Sequence, residues 1–95
     1  VTDTMADWLG RGTLIKRQPT MGGEDFGMYG RTEHKIPIFM FALGTVSSDL
    51  IKRFRAAGKP LPMVHSSTYA PDIEPSLRTG VTATTATALD LFAAP

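Results

Sequence analysis

Residues 36–43 read Ile-Pro-Ile-Phe-Met-Phe-Ala-Leu, the longest apolar run in the chain. A strand with one face in water alternates apolar and polar residues, whereas this run is apolar on both faces and favours a strand covered on both sides. Pro37 fits only at the start of such a strand or on an edge strand. The run is far shorter than the ~20 residues that span a bilayer. Because a buried strand needs neighbours, the run predicts a sheet.

Helical patterns lie on either side of this run. Residues 2–9 carry apolar side chains at helical spacing, and residues 48–57 predict a surface helix; a glycine follows each of them. A glycine turn at 22–23 opens a short helix that ends near residue 29, and residues 75–93 predict the last helix. Helices in series with a buried strand predict an α/β fold.

Composition limits the class of protein. The chain has 95 residues, 42% of them hydrophobic, which fits one domain or a piece of one. A net charge of +1 and the absence of cysteine argue against a strongly electrostatic partner, a disulfide scaffold and a thiolate metal site. No signal peptide is visible. Any signal peptide would precede residue 1, so the sequence leaves a cytoplasmic or an exported location open. The five methionines, Phe39 and Phe41 are expected in the core.

Two short segments are candidate sites. His65 stands in a polar loop before the last helix, and a neutral imidazole is the commonest protein metal ligand. A lone histidine makes no zinc site, so a loop histidine bonded to nearby backbone is the alternative. Gly22 and Gly23 allow close approach of an anion to backbone N–H groups ahead of Glu24 and Asp25. A plain tight turn with acidic residues in the first helical turn is the alternative there.

A basic cluster lies within the helix predicted over residues 48–57 and just after it. Its members are Lys52, Arg53, Arg55 and Lys59. A groove for nucleic acid would carry more positive charge and interleaved aromatic residues. The cluster is therefore interpreted as a solvated helix face, and no nucleic-acid or membrane partner is expected.

Four motifs follow one another in a specific order. They are Met21-Gly22-Gly23-Glu24-Asp25-Phe26, Phe41-Ala42-Leu43-Gly44-Thr45, His65-Ser66-Ser67 with Tyr69 and Asp72, and Gly80-Val81 ahead of Ala88-Leu89-Asp90-Leu91. In this order they resemble the carboxy-terminal end of the amidohydrolase branch of the aminoacylase/carboxypeptidase metallopeptidases. Hippurate hydrolases and N-acyl-amino-acid amidohydrolases belong to that branch.

The resemblance implies a fold, a metal site and a substrate. The family's catalytic domain is an α/β sandwich, and residues 1–95 would form its carboxy-terminal part. His65 would be the last ligand of a site for two divalent ions, zinc or manganese. Gly22 and Gly23 would line the substrate side, with Glu24 and Asp25 as supporting groups behind them. The substrate would be an N-acyl amino acid or a small peptide.

The resemblance also implies that much of the enzyme lies elsewhere. The other metal ligands, the general base and the lid or dimerisation domain would precede residue 1, and a homodimer is compatible with the intact protein. The 95-residue chain alone is therefore expected to be an inactive fragment. The alternative is a non-catalytic small α/β domain that binds an anion at the Gly22-Gly23 turn.

Overall fold

The computed structural model describes residues 1–19 and 21–93. Three α-helices run over Thr2–Leu9 (α1), Ser48–Ala56 (α2) and Ile73–Ala93 (α3). Two 3₁₀ helices occupy Arg11–Thr13 and Phe26–Arg31. Residues 1–19 and 21–93 contain no β-strand.

The helices form where local signals predict them. Gly10 ends α1 in a conformation with a φ of 92°, which glycine tolerates best. The Ser47 hydroxyl accepts a hydrogen bond of 3.2 Å from the Leu50 N–H and caps α2. At the other end of α2, Gly58 has a φ of 65°, and the Gly58 and Lys59 N–H groups donate back to the carbonyls of Arg55 and Phe54. These two bonds form a Schellman motif, so α2 ends one residue earlier than predicted.

The α/β fold predicted from residues 36–43, and with it the α/β sandwich implied by the resemblance, is wrong for this chain. The segment forms neither a helix nor a strand, and no neighbouring strand pairs with its backbone in the described residues. Its side chains are exposed rather than covered: Phe39 is 42% and Phe41 39% accessible. Pairing needs a partner strand that residues 1–19 and 21–93 do not supply.

The core lies between α1 and α3 and is small. In the described residues the buried apolar side chains are those of Met5, Ala6, Ala83 and Ala86. Of the five methionines expected in the core, only Met5 is buried, and Phe39 and Phe41 also lie outside it. The Thr4 hydroxyl donates a hydrogen bond of 2.7 Å to the Asp90 carboxylate beside this core.

The chain is also less compact than a domain of its length. Its radius of gyration is 16.2 Å. The usual scaling for a compact domain of this length gives about 12 Å. Consistent with this open shape, the α2 backbone makes no close contact with another helix of the described residues.

Candidate functional site

His65 lies in a pair of successive turns that precede α3. The Ser66 N–H donates to the Met63 carbonyl at 2.9 Å, and the Tyr69 N–H donates to the Ser66 carbonyl at 3.1 Å. The Ser66 hydroxyl accepts from the Thr68 N–H and pairs with the Thr68 hydroxyl at 2.8 Å. Short serine and threonine bonds of this kind hold a turn without a helix or a strand. They leave His65 exposed at the surface of the loop.

Thr45 joins the end of the apolar segment, residues 36–43, to the loop that carries His65. Its hydroxyl is hydrogen-bonded to the Tyr69 hydroxyl. Its carbonyl accepts a hydrogen bond of 2.7 Å from the Asp72 N–H, and the Ser76 hydroxyl approaches the same oxygen at 3.5 Å. A single residue thus ties the segment both to the His65 loop and to the start of α3. We call this arrangement the Thr45 junction.

A close contact between Leu43 and Gly80 extends the Thr45 junction onto α3. A β-carbon at Gly80 would stand 3.1 Å from Cδ2 of Leu43, so the glycine leaves room for the leucine side chain. Three of the four sequence motifs therefore contact one another, although Leu43 and Gly80 are 37 positions apart in the sequence. Sequence reasoning quoted these residues but could not pair them, since no local pattern encodes the contact.

The Gly22-Gly23 turn lies on the exposed surface ahead of the second 3₁₀ helix. Glu24 accepts a hydrogen bond of 3.0 Å from the Phe26 N–H through Oε1, and the Asp25 carbonyl accepts from the Met28 N–H at 2.9 Å. Both acidic residues thus help to form the turn. A β-carbon at Gly23 would have no atom within 4 Å, and the φ of Gly23 is not positive. Nothing in the surrounding chain requires a glycine at this position.

The two candidate segments are linked only indirectly. Gly30, in the 3₁₀ helix after the glycine turn, lies against Ile38, whose side chain would stand 3.4 Å from a β-carbon there. The apolar segment then connects Ile38 to the Thr45 junction. No hydrogen bond or ion pair of the described residues joins His65 to the stretch from Gly22 to Asp25.

The residues present do not build a complete metal site. Over residues 1–19 and 21–93, no group of three or more histidine, aspartate or glutamate side chains comes close enough to hold an ion. Zinc takes three or four protein ligands, so His65 alone does not hold one. A metal at His65 would require further ligands from outside this part of the chain.

An open cleft of about 380 Å³ lies beside the Thr45 junction. Hydroxyl and carboxylate side chains from the starts of α2 and α3 line it, among them Ser47, Asp49, Asp72, Ser76 and Thr79. Sequence reasoning missed this cleft, because it lies between the starts of two helices that are distant in sequence.

Asp90, in the fourth motif, belongs to a different part of the molecule. Since α3 rises 1.5 Å per residue, Asp90 lies about 21 Å along the helix from Ser76. The hydrogen bond from the Thr4 hydroxyl, and then that from the amino-terminal ammonium at 2.9 Å, lower the pKa of the Asp90 carboxyl. Asp90 therefore holds α1 on α3 and does not take part in the Thr45 junction.

Comparisons with protein-family models, with curated proteins and with solved structures found no match to this chain. Among the helices that the structure describes, none is both long enough and apolar enough to cross a membrane.

Proposed function

We propose that this chain is part of a metal-dependent amidohydrolase that cleaves the amide bond of N-acyl amino acids or small peptides. In this proposal His65 is one ligand of a divalent metal, and Gly22 and Gly23 face the substrate. The observation that carries the proposal is the Thr45 junction: three motifs whose order resembles that of one family of hydrolases also contact one another.

The environment of His65 supports its role as a ligand. Its side chain is exposed, and no hydrogen bond within the described residues engages either ring nitrogen. A neutral imidazole with a free nitrogen is a good donor to zinc or manganese. The loop around it is nevertheless fixed, because Tyr69 is bonded to Thr45. A ligand that is available but held in place needs little rearrangement to bind a metal.

The exposed apolar segment supports a larger catalytic body. Its six largest side chains are each at least 37% accessible, at Ile36, Ile38, Phe39, Met40, Phe41 and Leu43. Contiguous apolar surface of this kind marks a place where other protein packs. We propose that the protein that covers this segment also carries the remaining metal ligands and the general base, so that the 95-residue chain by itself is inactive.

The test compares the two histidines of the chain in the protein expressed from its full reading frame. His34 is the matched control, since it is also exposed and its only partner in the described residues is Glu33 beside it. We expect His65→Ala to lose bound metal and hydrolysis of N-acyl amino acids together, and His34→Ala to keep both. Metal content is measured by mass spectrometry and hydrolysis by release of the free amino acid. Equal metal content and activity in the two variants would refute the role of His65.

A second candidate function, binding of an anion without catalysis, is favoured by the open backbone at Gly23. Gly22 and Gly23 are exposed, and no hydrogen bond of the described residues engages their N–H groups. In this case Gly23→Ala weakens the binding of a carboxylate such as acetate, and His65→Ala does not. In the preferred case Gly23→Ala raises KM for the acyl amino acid and leaves the metal content unchanged.

A further inference from the structure

α2 and the three residues that follow it carry a concentrated positive charge. Residues 48–59 hold four basic residues and one acidic residue, a net charge of +3, and the rest of the chain then carries −2. All four cations are exposed: Lys52, Arg53, Arg55 and Lys59. None of these four cations forms an ion pair within the described residues. The ion pairs that are present there involve other residues.

Helix stability alone does not account for this charge. Cations near the carboxyl end of a helix are favourable, but the helix dipole there amounts to only about half a negative charge. Lys52 and Arg55 are moreover three positions apart on one helix, where like charges repel. With Asp49 counted, the net charge of +3 still exceeds what the dipole offsets. A partner with negative charge would relieve the repulsion.

We propose that the basic face of α2 docks an acidic segment of another polypeptide, a run of aspartate and glutamate side chains. The arrangement of apolar residues favours this partner over a membrane. Leu50, Ile51 and Phe54 share the opposite face of α2 and are half-buried, and Leu50 borders a cleft with Ala70 and Pro71. A helix that lies on a membrane presents its apolar face outward, whereas α2 turns that face toward its own chain.

The aromatic residues favour the acidic polypeptide over nucleic acid. Single-stranded nucleic acids stack their bases on exposed aromatic side chains between the cations. The one aromatic residue of residues 48–59 is Phe54, which is half-buried among the apolar residues of α2. The docking surface therefore offers point charges and hydrogen-bond donors without a stacking platform. It is independent of the role proposed for His65.

A charge-matched pair of variants of the full chain tests the docking surface. One variant carries Lys52→Gln, Arg53→Gln, Arg55→Gln and Lys59→Gln. The control carries Lys16→Gln, Arg17→Gln, Arg31→Gln and Lys35→Gln, which removes the same charge from exposed positions outside α2. The probe is a fluorescent oligoglutamate peptide, whose binding is followed by anisotropy at low and at physiological salt.

We expect the α2 variant to bind the peptide about tenfold more weakly than the wild type and the control to bind nearly as well, because a few exposed ion pairs together contribute about this much. Equal losses in both variants, or no binding by the wild type, would overturn the proposal. So would tighter binding of single-stranded DNA or of vesicles that contain phosphatidylserine. Carbodiimide coupling of the bound peptide gives a second readout on the wild type. Cross-links at Lys52 and Lys59 support the proposal, whereas cross-links mainly at Lys16 or Lys35 contradict it.

Discussion

Truncation of Met5 should detach α1 from α3. Met5 is 3% accessible and is the one large side chain among the buried residues of the described core. Met5→Ala removes two carbons and a sulfur; at about 0.8 kcal/mol for each methylene-sized group, the transfer loss is roughly 2 kcal/mol. The cavity adds to this loss, but a thin interface between two helices collapses easily, so we expect a total of about 2–3 kcal/mol. A loss of this size raises the open population of α1 about 30- to 150-fold.

Met63→Ala is the matched control for this prediction. It removes the same atoms from a side chain that is 74% accessible, and exposed positions usually change stability by less than about 0.5 kcal/mol. Native-state hydrogen exchange of the α1 amides measures the opening directly, and guanidinium unfolding followed by circular dichroism measures the global effect. If both variants exchange at the same rate, α1 does not dock on α3 through Met5, and the described core is incorrect.

Three further predictions concern the ends of helices and the contacts between them. Gly80→Ala should raise the free energy of unfolding by about 0.5 kcal/mol in thermal unfolding, because the helical preference of alanine is worth up to ~1 kcal/mol but the new β-carbon crowds Leu43. In a Leu43→Ala background the crowding is absent, so the full ~1 kcal/mol should appear. Equal stabilisation in the two backgrounds would contradict the contact between Gly80 and Leu43. Ser47→Ala should cost α2 about 1 kcal/mol and lower the helical circular dichroism signal, whereas Ser47→Asp should keep it; unchanged helicity in the alanine variant would rule out the cap. The hydrogen bond from the Thr4 hydroxyl lowers the pKa of Asp90, so the carboxylate stabilises α1 docking above its ordinary pKa, and this contribution disappears as the pH falls through the lower folded-state pKa. Asp90→Asn should abolish that acid dependence in hydrogen exchange, and an unchanged profile would show that another group is responsible.

The helices of this chain could be predicted because the signals for them are local. Gly10 and Gly58 end α1 and α2 at or within one residue of the predicted positions. The start of α3 was placed two residues too late, at Pro75, because proline fits the first turn of a helix without marking its first residue. Caps and glycine stops act within a few residues, so a single sequence reveals them.

The sheet could not be predicted correctly, because strand pairing is a relation between distant segments. Residues 36–43 have the composition of a covered strand, but in the structure they form neither a strand nor a helix. The residues of a strand do not indicate which other segments cover it. The same reason explains why Phe39 and Phe41, expected in the core, are exposed.

The candidate site shows the same division between local and distant information. His65 and Gly23 could be named from the sequence because their residue types allow metal and anion binding in a loop. Thr45 could not be singled out, because its importance lies in bonds to Tyr69 and Asp72, which are 24 and 27 positions away. Such bonds become visible only in three dimensions.

The Thr45 junction also explains how so open a chain can hold a candidate ligand in place. Four buried side chains and a radius of gyration of 16.2 Å give the described chain little packing to order its loops. The His65 loop is instead ordered by polar bonds: turn bonds at Ser66 and the bond from Tyr69 to Thr45. A network of this kind positions a side chain without burying it. A ligand must be exposed in this way if the other ligands of its metal come from another part of the protein. The exposed apolar segment ends next to the same junction, so a protein that covered the segment would lie beside the His65 loop.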